Sequence, residues 1–147
     1  MNPLTFIHAM VAPAVMISAC GLLLLSLNNK YSLVVNRIRL LNAEFRSPQV
    51  SDSRRKCIKK QIKKLKVRML LLKNSVLLYT VSVIFTVLTM IFIAAKEFFN
   101  LKLHFLIVFS FVLGVIFLLI GSLFAAREAI LGYKIVADIE IKSTIDL

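Results

Sequence analysis

The chain of 147 residues has no Trp, only four Gly, two Cys and seven acidic residues against nineteen Lys and Arg. Each scarcity excludes something. Gly21, Gly114, Gly121 and Gly132 are too dispersed to build a phosphate-cradling loop. Cys20 lies in an apolar run and Cys57 in a basic one, so they form no disulfide framework and are expected as free thiols. There is no CxxC, no His pair at helical ligand spacing and no acid cluster, hence no recognisable metal site and no cofactor expected. Cys57 has basic neighbours but no His on its side of the expected topology, and no other nucleophile has a base partner, which argues against an enzyme.

Apolar residues are abundant, at 59% of the chain. Three runs reach the roughly 20 residues that a bilayer crossing requires. They cover about 4–27, 75–95 and 103–126, and none contains Asp, Glu, Lys or Arg. Too little polar chain remains to cover three such helices in a soluble protein. "ISAC" at 17–20 resembles a lipoprotein cleavage box. However, no basic residue precedes the run, and it continues past Cys20 as "GLLLLSL", so the first span is expected to be retained.

The charge sits in one place. Residues 28–73 hold fourteen Lys and Arg against Glu44 and Asp52, a local charge of +12, and five basic and five acidic residues elsewhere cancel. Excess Lys and Arg in a short loop mark the cytoplasmic side. The N-terminus and "KEFFNLK" are therefore expected outside, and the tail 127–147 inside.

The basic stretch is also patterned. Leu27, Tyr31, Val34, Ile38, Leu41 and Phe45 recur at intervals of 4, 3, 4, 3 and 4, as do Ile58, Ile62, Leu65, Met69, Leu72 and Val76. That is an a/d coiled-coil stripe in each arm, with "RSPQVSDS" as the turn between them. The expected fold is an all-α membrane protein with three transmembrane helices in a single domain. Its first two helices extend into a cytoplasmic antiparallel helical hairpin over 28–74.

Lys56, Lys59, Lys60, Lys63 and Lys64 fall largely off the seam, several as like-charge i,i+4 pairs that need a counter-charge. The first reading of this face is a solvated one that obeys the positive-inside rule. The competing readings are attraction to anionic lipid headgroups and docking of an acidic protein surface, part of which Asp138, Glu140 and Asp146 of the chain's own tail would supply. Nucleic acid is not expected, because the segment lacks stacking aromatics. Self-association into a homo-oligomer is expected from the seams and from the small residues Ser110, Gly114, Gly121 and Ala125.

Within the second run Ser75, Tyr79, Ser82, Thr86 and Thr89 put hydroxyls on one helical face. Such a face either hydrogen-bonds within and between helices, the commoner use, or lines a narrow polar path. The ionisable residues near the spans, His8 and His104, belong to the expected outer boundary.

"PAVMISACGLLLLSLNNKYSLVVNRIRLLN", residues 13–42, resembles a bacterial family of small multi-span membrane proteins known as domain of unknown function 2721. The resemblance rests on the Pro-containing span, the "NNK" exit and "NRIRLLN" with Arg37 and Arg39. Lys30 stands where the family implies Arg, which keeps the charge and loses bidentate geometry. The resemblance implies a bacterial inner membrane and no particular activity. Asn28, Asn29, Lys30, Arg37 and Arg39 form a polar collar where the first span ends, either an anchor for headgroups or the charged mouth of an oligomeric pore. Three functions are thus expected in order: an assembly or docking element, a small homo-oligomeric ion channel, and a lipid- or partner-sensing regulatory subunit.

Overall fold

The computed structural model describes residues 3–99 and 102–145. They form three long helices, α1 (Pro3–Arg46), α2 (Asp52–Phe99) and α3 (His104–Ile145). At 1.5 Å per residue each is about 60–70 Å long, twice the hydrocarbon thickness of a bilayer. All three are long and apolar enough to cross a membrane, by length and composition. The chain has the build of a multi-pass membrane protein.

The break between α1 and α2 has a local cause. Pro48 disfavours helical backbone at Ser47, and the Ser47 amide closes a tight turn onto the Glu44 carbonyl at 3.0 Å. Ser51 then caps α2: its hydroxyl accepts the Arg54 amide at 3.4 Å, and Asp52 sits in the first turn, where the helix dipole favours an acid. After the second break α3 begins, with the Ile107 amide donating its first intrahelical bond to the Leu103 carbonyl at 3.0 Å. Past the third apolar run the helix does not stop, and α3 continues through the segment read as a tail.

Buried positions follow a seven-residue repeat. In α1 they are Pro13, Cys20, Leu27, Val34 and Leu41. In α2 Ile58, Leu65 and Leu72 continue into Ser75, Tyr79, Ser82, Thr86, Thr89 and Ile93. In α3, over the residues whose burial is described (104–133), they are Ser110, Gly114, Gly121, Glu128 and Gly132. Leu27, Val34, Leu41, Ile58, Leu65, Leu72 and Tyr79 form one core cluster, flanked by Ile38, Phe45, Ile62, Met69 and Val76. Nearly every position of the two apolar stripes is therefore in or against that core. Tyr31 departs, remaining 37% exposed. Its phenol gains most where one end of the ring stays wet.

α2 is the central helix, packed along both neighbours, while α1 and α3 hardly touch. Glu44 meets Arg54 near the turn, and Met16 meets Thr86 far from it. Between α2 and α3, Phe85 stacks on Phe117 with ring centroids 5.6 Å apart. Gly114 and Gly121 let α3 approach closely: a Cβ at Gly114 would lie 3.2 Å from the Thr86 hydroxyl, and one at Gly121 would lie 3.3 Å from the Leu78 Cβ. Large apolar side chains such as Leu4, Val15, Leu22, Ile84, Phe105 and Leu119 remain outside, a surface suited to lipid rather than water.

Candidate functional site

The basic end is built on the paired arms of α1 and α2. Lys56, Lys59, Lys60 and Lys63 are exposed, and Lys64 is half-buried. Phe45 on α1 receives two cations from α2: Lys59 Nζ lies 5.5 Å from the ring centroid and the Arg55 guanidinium 6.0 Å. Arg54 Nε donates to Glu44 Oε1 at 2.8 Å. That hydrogen bond, with the charge of Arg54 and more weakly of Arg37, holds the Glu44 carboxyl below its ordinary range. Cys57 is exposed, Cys20 is buried, and both are free thiols. Asp146 and the side chains of Asp138 and Glu140 lie outside the described residues.

Closer to the apolar spans, Lys30, Arg37 and Arg39 are exposed on α1. Lys30 and Arg37, one heptad apart, share a recess of about 180 Å3 with Leu33, Val34, Leu65 and Arg68, whereas Arg39 is not in its wall. Arg68 is fixed from behind by α3. Its Nε and Nη2 donate to Oε1 of Glu128 at 3.0 and 2.6 Å. The Glu128 side chain is 1% exposed and that of Arg68 is 21% exposed. A carboxylate so far removed from water is stable only when paired and hydrogen-bonded.

The hydroxyl face of α2 is turned inward. Ser75, Tyr79, Ser82, Thr86 and Thr89 are all buried. Ser75, Thr86 and Thr89 donate to carbonyls one turn back, at 2.8 to 3.0 Å. Ser82 donates across to the Gly114 carbonyl at 2.7 Å, and Tyr79 pairs with the Ser122 hydroxyl at 2.9 Å. Ser110 of α3 returns a bond to the Phe85 carbonyl at 2.8 Å.

At the opposite end a cavity of about 320 Å3 opens between the helices, where Ala9, Ala12 and Pro13 leave room against Ile93 and Phe111. Lys96, Glu97 and His104 supply its ionisable groups, and Thr89 also lines it. Lys96 Nζ lies 3.1 Å from His104 Nε2. A lysine ammonium only donates, so this ring nitrogen accepts. His8 is exposed and is not part of the cavity wall.

The model of the family described as "Protein of unknown function (DUF2721)" matches residues 10–137, most of the chain and every element just described. The chain belongs to that family. No curated protein and no solved structure matches it. No catalytic family or fold is indicated, and among the described residues no group of three His, Cys, Asp or Glu could hold a metal ion.

For this DUF2721 member, the structure brings Lys30 and Arg37 together with a residue that sequence reasoning left unremarked, Arg68. In the sequence it is one of ten cations between residues 54 and 74 and carries no individual mark. Its partner Glu128, sixty positions further on, did carry a signal. Gly114, Gly121 and Glu128 are successive sevenths along α3, so an acid there continues the close-packed stripe and must lie against α2.

Proposed function

We propose that this chain is a non-catalytic inner-membrane protein of bacteria whose α1 and α2 arms form an antiparallel, coiled-coil-like hairpin in the cytoplasm. The hairpin acts as an assembly or docking element through its lysine face. The observation that carries this reading is the exposure of Lys56, Lys59, Lys60 and Lys63 on a helix whose opposite face is sealed by Ile58, Leu65 and Leu72. Such an arm holds like charges in a fixed array, which an acidic surface would relieve. Homo-oligomerisation through the exposed apolar faces fits the same picture. In the channel reading, Ser75, Tyr79, Ser82, Thr86 and Thr89 would face water. Their burial and hydrogen bonding within one chain support a packing role instead.

Two linked measurements test this. Cys57 is exposed and Cys20 buried, so a membrane-impermeant maleimide reports the side on which the hairpin lies. Labelling is expected only after the cells are permeabilised, and labelling of intact cells would reverse the orientation. A photocrosslinking residue at position 60 is then expected to give one discrete adduct in native membranes, lost in K59E/K63E/K64E. Parent and charge-reversed chains that both remain free of adducts would overturn the docking role.

A further inference from the structure

Where the apolar spans give way to the charged arms, three cations from two helices close on one small recess. Its wall holds Lys30 and Arg37 from α1 and Arg68 from α2, with no acidic side chain of the described residues lining it. Like charges gathered at a low-dielectric boundary repel one another unless an anion sits among them. Arg68 is set for such a role. A guanidinium has five N–H donors, and Glu128 takes one from Nε and one from Nη2, which leaves three. Lys30 makes no ion pair among the described residues, while Arg37 feels Glu44 only through space.

The recess is also bounded by apolar surface. Leu33 is 69% exposed beside the cations, while Val34 and Leu65 form the buried floor. Inorganic phosphate would satisfy the charges and leave Leu33 in water, whereas a phosphate carried on glycerol and acyl chains satisfies both. At about 180 Å3 the recess is smaller than the 300–1,000 Å3 usual for drug-sized ligands, a size suited to one headgroup phosphate. Its height fits as well. Lys30 lies three residues beyond Leu27, the last buried apolar residue of the first span; in the proposed topology that is where the headgroups begin. Basic pockets between transmembrane helices on the cytoplasmic side are places where anionic headgroups bind.

The geometry points to a site for the phosphate of an anionic glycerophospholipid, held by Lys30, Arg37 and Arg68, with Glu128 positioning Arg68 over Gly132. The site rests on the membrane orientation given above and does not depend on the docking role of the lysine face. It is tested with the full chain in detergent by native mass spectrometry, titrating phosphatidylglycerol and phosphatidylcholine, with and without excess inorganic phosphate. Lys30 and Arg37 are exposed, so K30Q/R37Q leaves the fold intact. Removing two headgroup contacts is expected to weaken phosphatidylglycerol retention by about thirtyfold. With the photocrosslinking residue kept at position 60, K59Q/K63Q is expected to retain the lipid as the parent does while losing the crosslinked adduct, so the two readings fail separately. Equal retention by parent and K30Q/R37Q, equal retention of phosphatidylcholine, or displacement by inorganic phosphate would each overturn the lipid site.

Discussion

The guanidinium of Arg68 lies so close over Gly132 that a Cβ on that glycine would sit 2.8 Å from Nη2 and 3.1 Å from Cζ. A hydrogen in place of a side chain therefore lets an arginine on α2 reach a buried glutamate on α3.

This arrangement makes a graded prediction. Gly132→Ala makes the Arg68 guanidinium shift, but that is the far end of a flexible side chain and Ala favours the helix, so its net effect is expected to stay within about 1 kcal/mol. Arg68→Met leaves Glu128 buried with no counter-charge, at a cost of about 3–5 kcal/mol. Adding Glu128→Met to Arg68→Met is expected to recover most of that loss, because two packed apolar residues replace an ion pair without an orphaned charge. Thermal unfolding of the detergent-solubilised single and double variants measures all of these. A double variant no better than Arg68→Met would mean that Glu128 is not stabilised by its pairing.

The bond from Ser82 to the Gly114 carbonyl predicts a smaller effect. Ser82→Ala removes one interhelical bond of 2.7 Å and leaves a carbonyl that its own helix still satisfies. The expected cost is about 0.6 kcal/mol and at most about 1.7 kcal/mol, the range for hydrogen bonds between membrane helices. Gly114→Leu is expected to cost more, since any Cβ there already presses on Thr86 at 3.2 Å. The same unfolding scan ranks the two variants, and the reverse order would show that the hydroxyl contributes more than the close approach.

Near the turn, Glu44 and Arg54 give a pH dependence of definite sign. The folded Glu44 carboxyl titrates below its ordinary range because Arg54 donates to it. A depressed carboxylate pKa contributes stability that is present above the unfolded value, about 4.3, and is lost as pH falls through the folded value. The contact between the end of α1 and the start of α2 is thus expected to be insensitive around neutral pH and to loosen only in acid. Arg54→Gln is expected to return the Glu44 midpoint upward, which a carboxyl-resolved NMR titration follows. An unchanged midpoint would remove Arg54 as the cause.

Much of the fold was legible because its signals are local. The stripes through Leu27, Val34 and Leu41 and through Ile58, Leu65 and Leu72 identified the core of the arms, because a helix puts every seventh residue on one face. Pro48 and the serines around it marked the turn for an equally local reason, since proline restricts the residue before it. Tyr31 was drawn into the stripe by periodicity alone, and periodicity does not register that its hydroxyl is better placed at the surface. The recess was half legible. Lys30 and Arg37 share a face of one helix, but nothing in the chain order tells which of the cations on the next helix turns toward them.

The sequence by itself determined three apolar spans, the prolongation of the first two into charged helical arms, the breaks between the helices and the confinement of the net charge to one stretch, but not that the third helix runs on past residue 126. Hydropathy, capping and proline chemistry act over a few residues and can be read in order along the chain. Only the tertiary structure decided that Arg68, among nineteen cations, meets Glu128, and that the α2 hydroxyls face Gly114 and Ser122. Those pairings span 32 to 60 positions and depend on how far α2 and α3 are rotated and shifted against each other. That register is set by the summed packing of both helices, with Gly114, Gly121 and Gly132 permitting the approach, and no local stretch of sequence contains it.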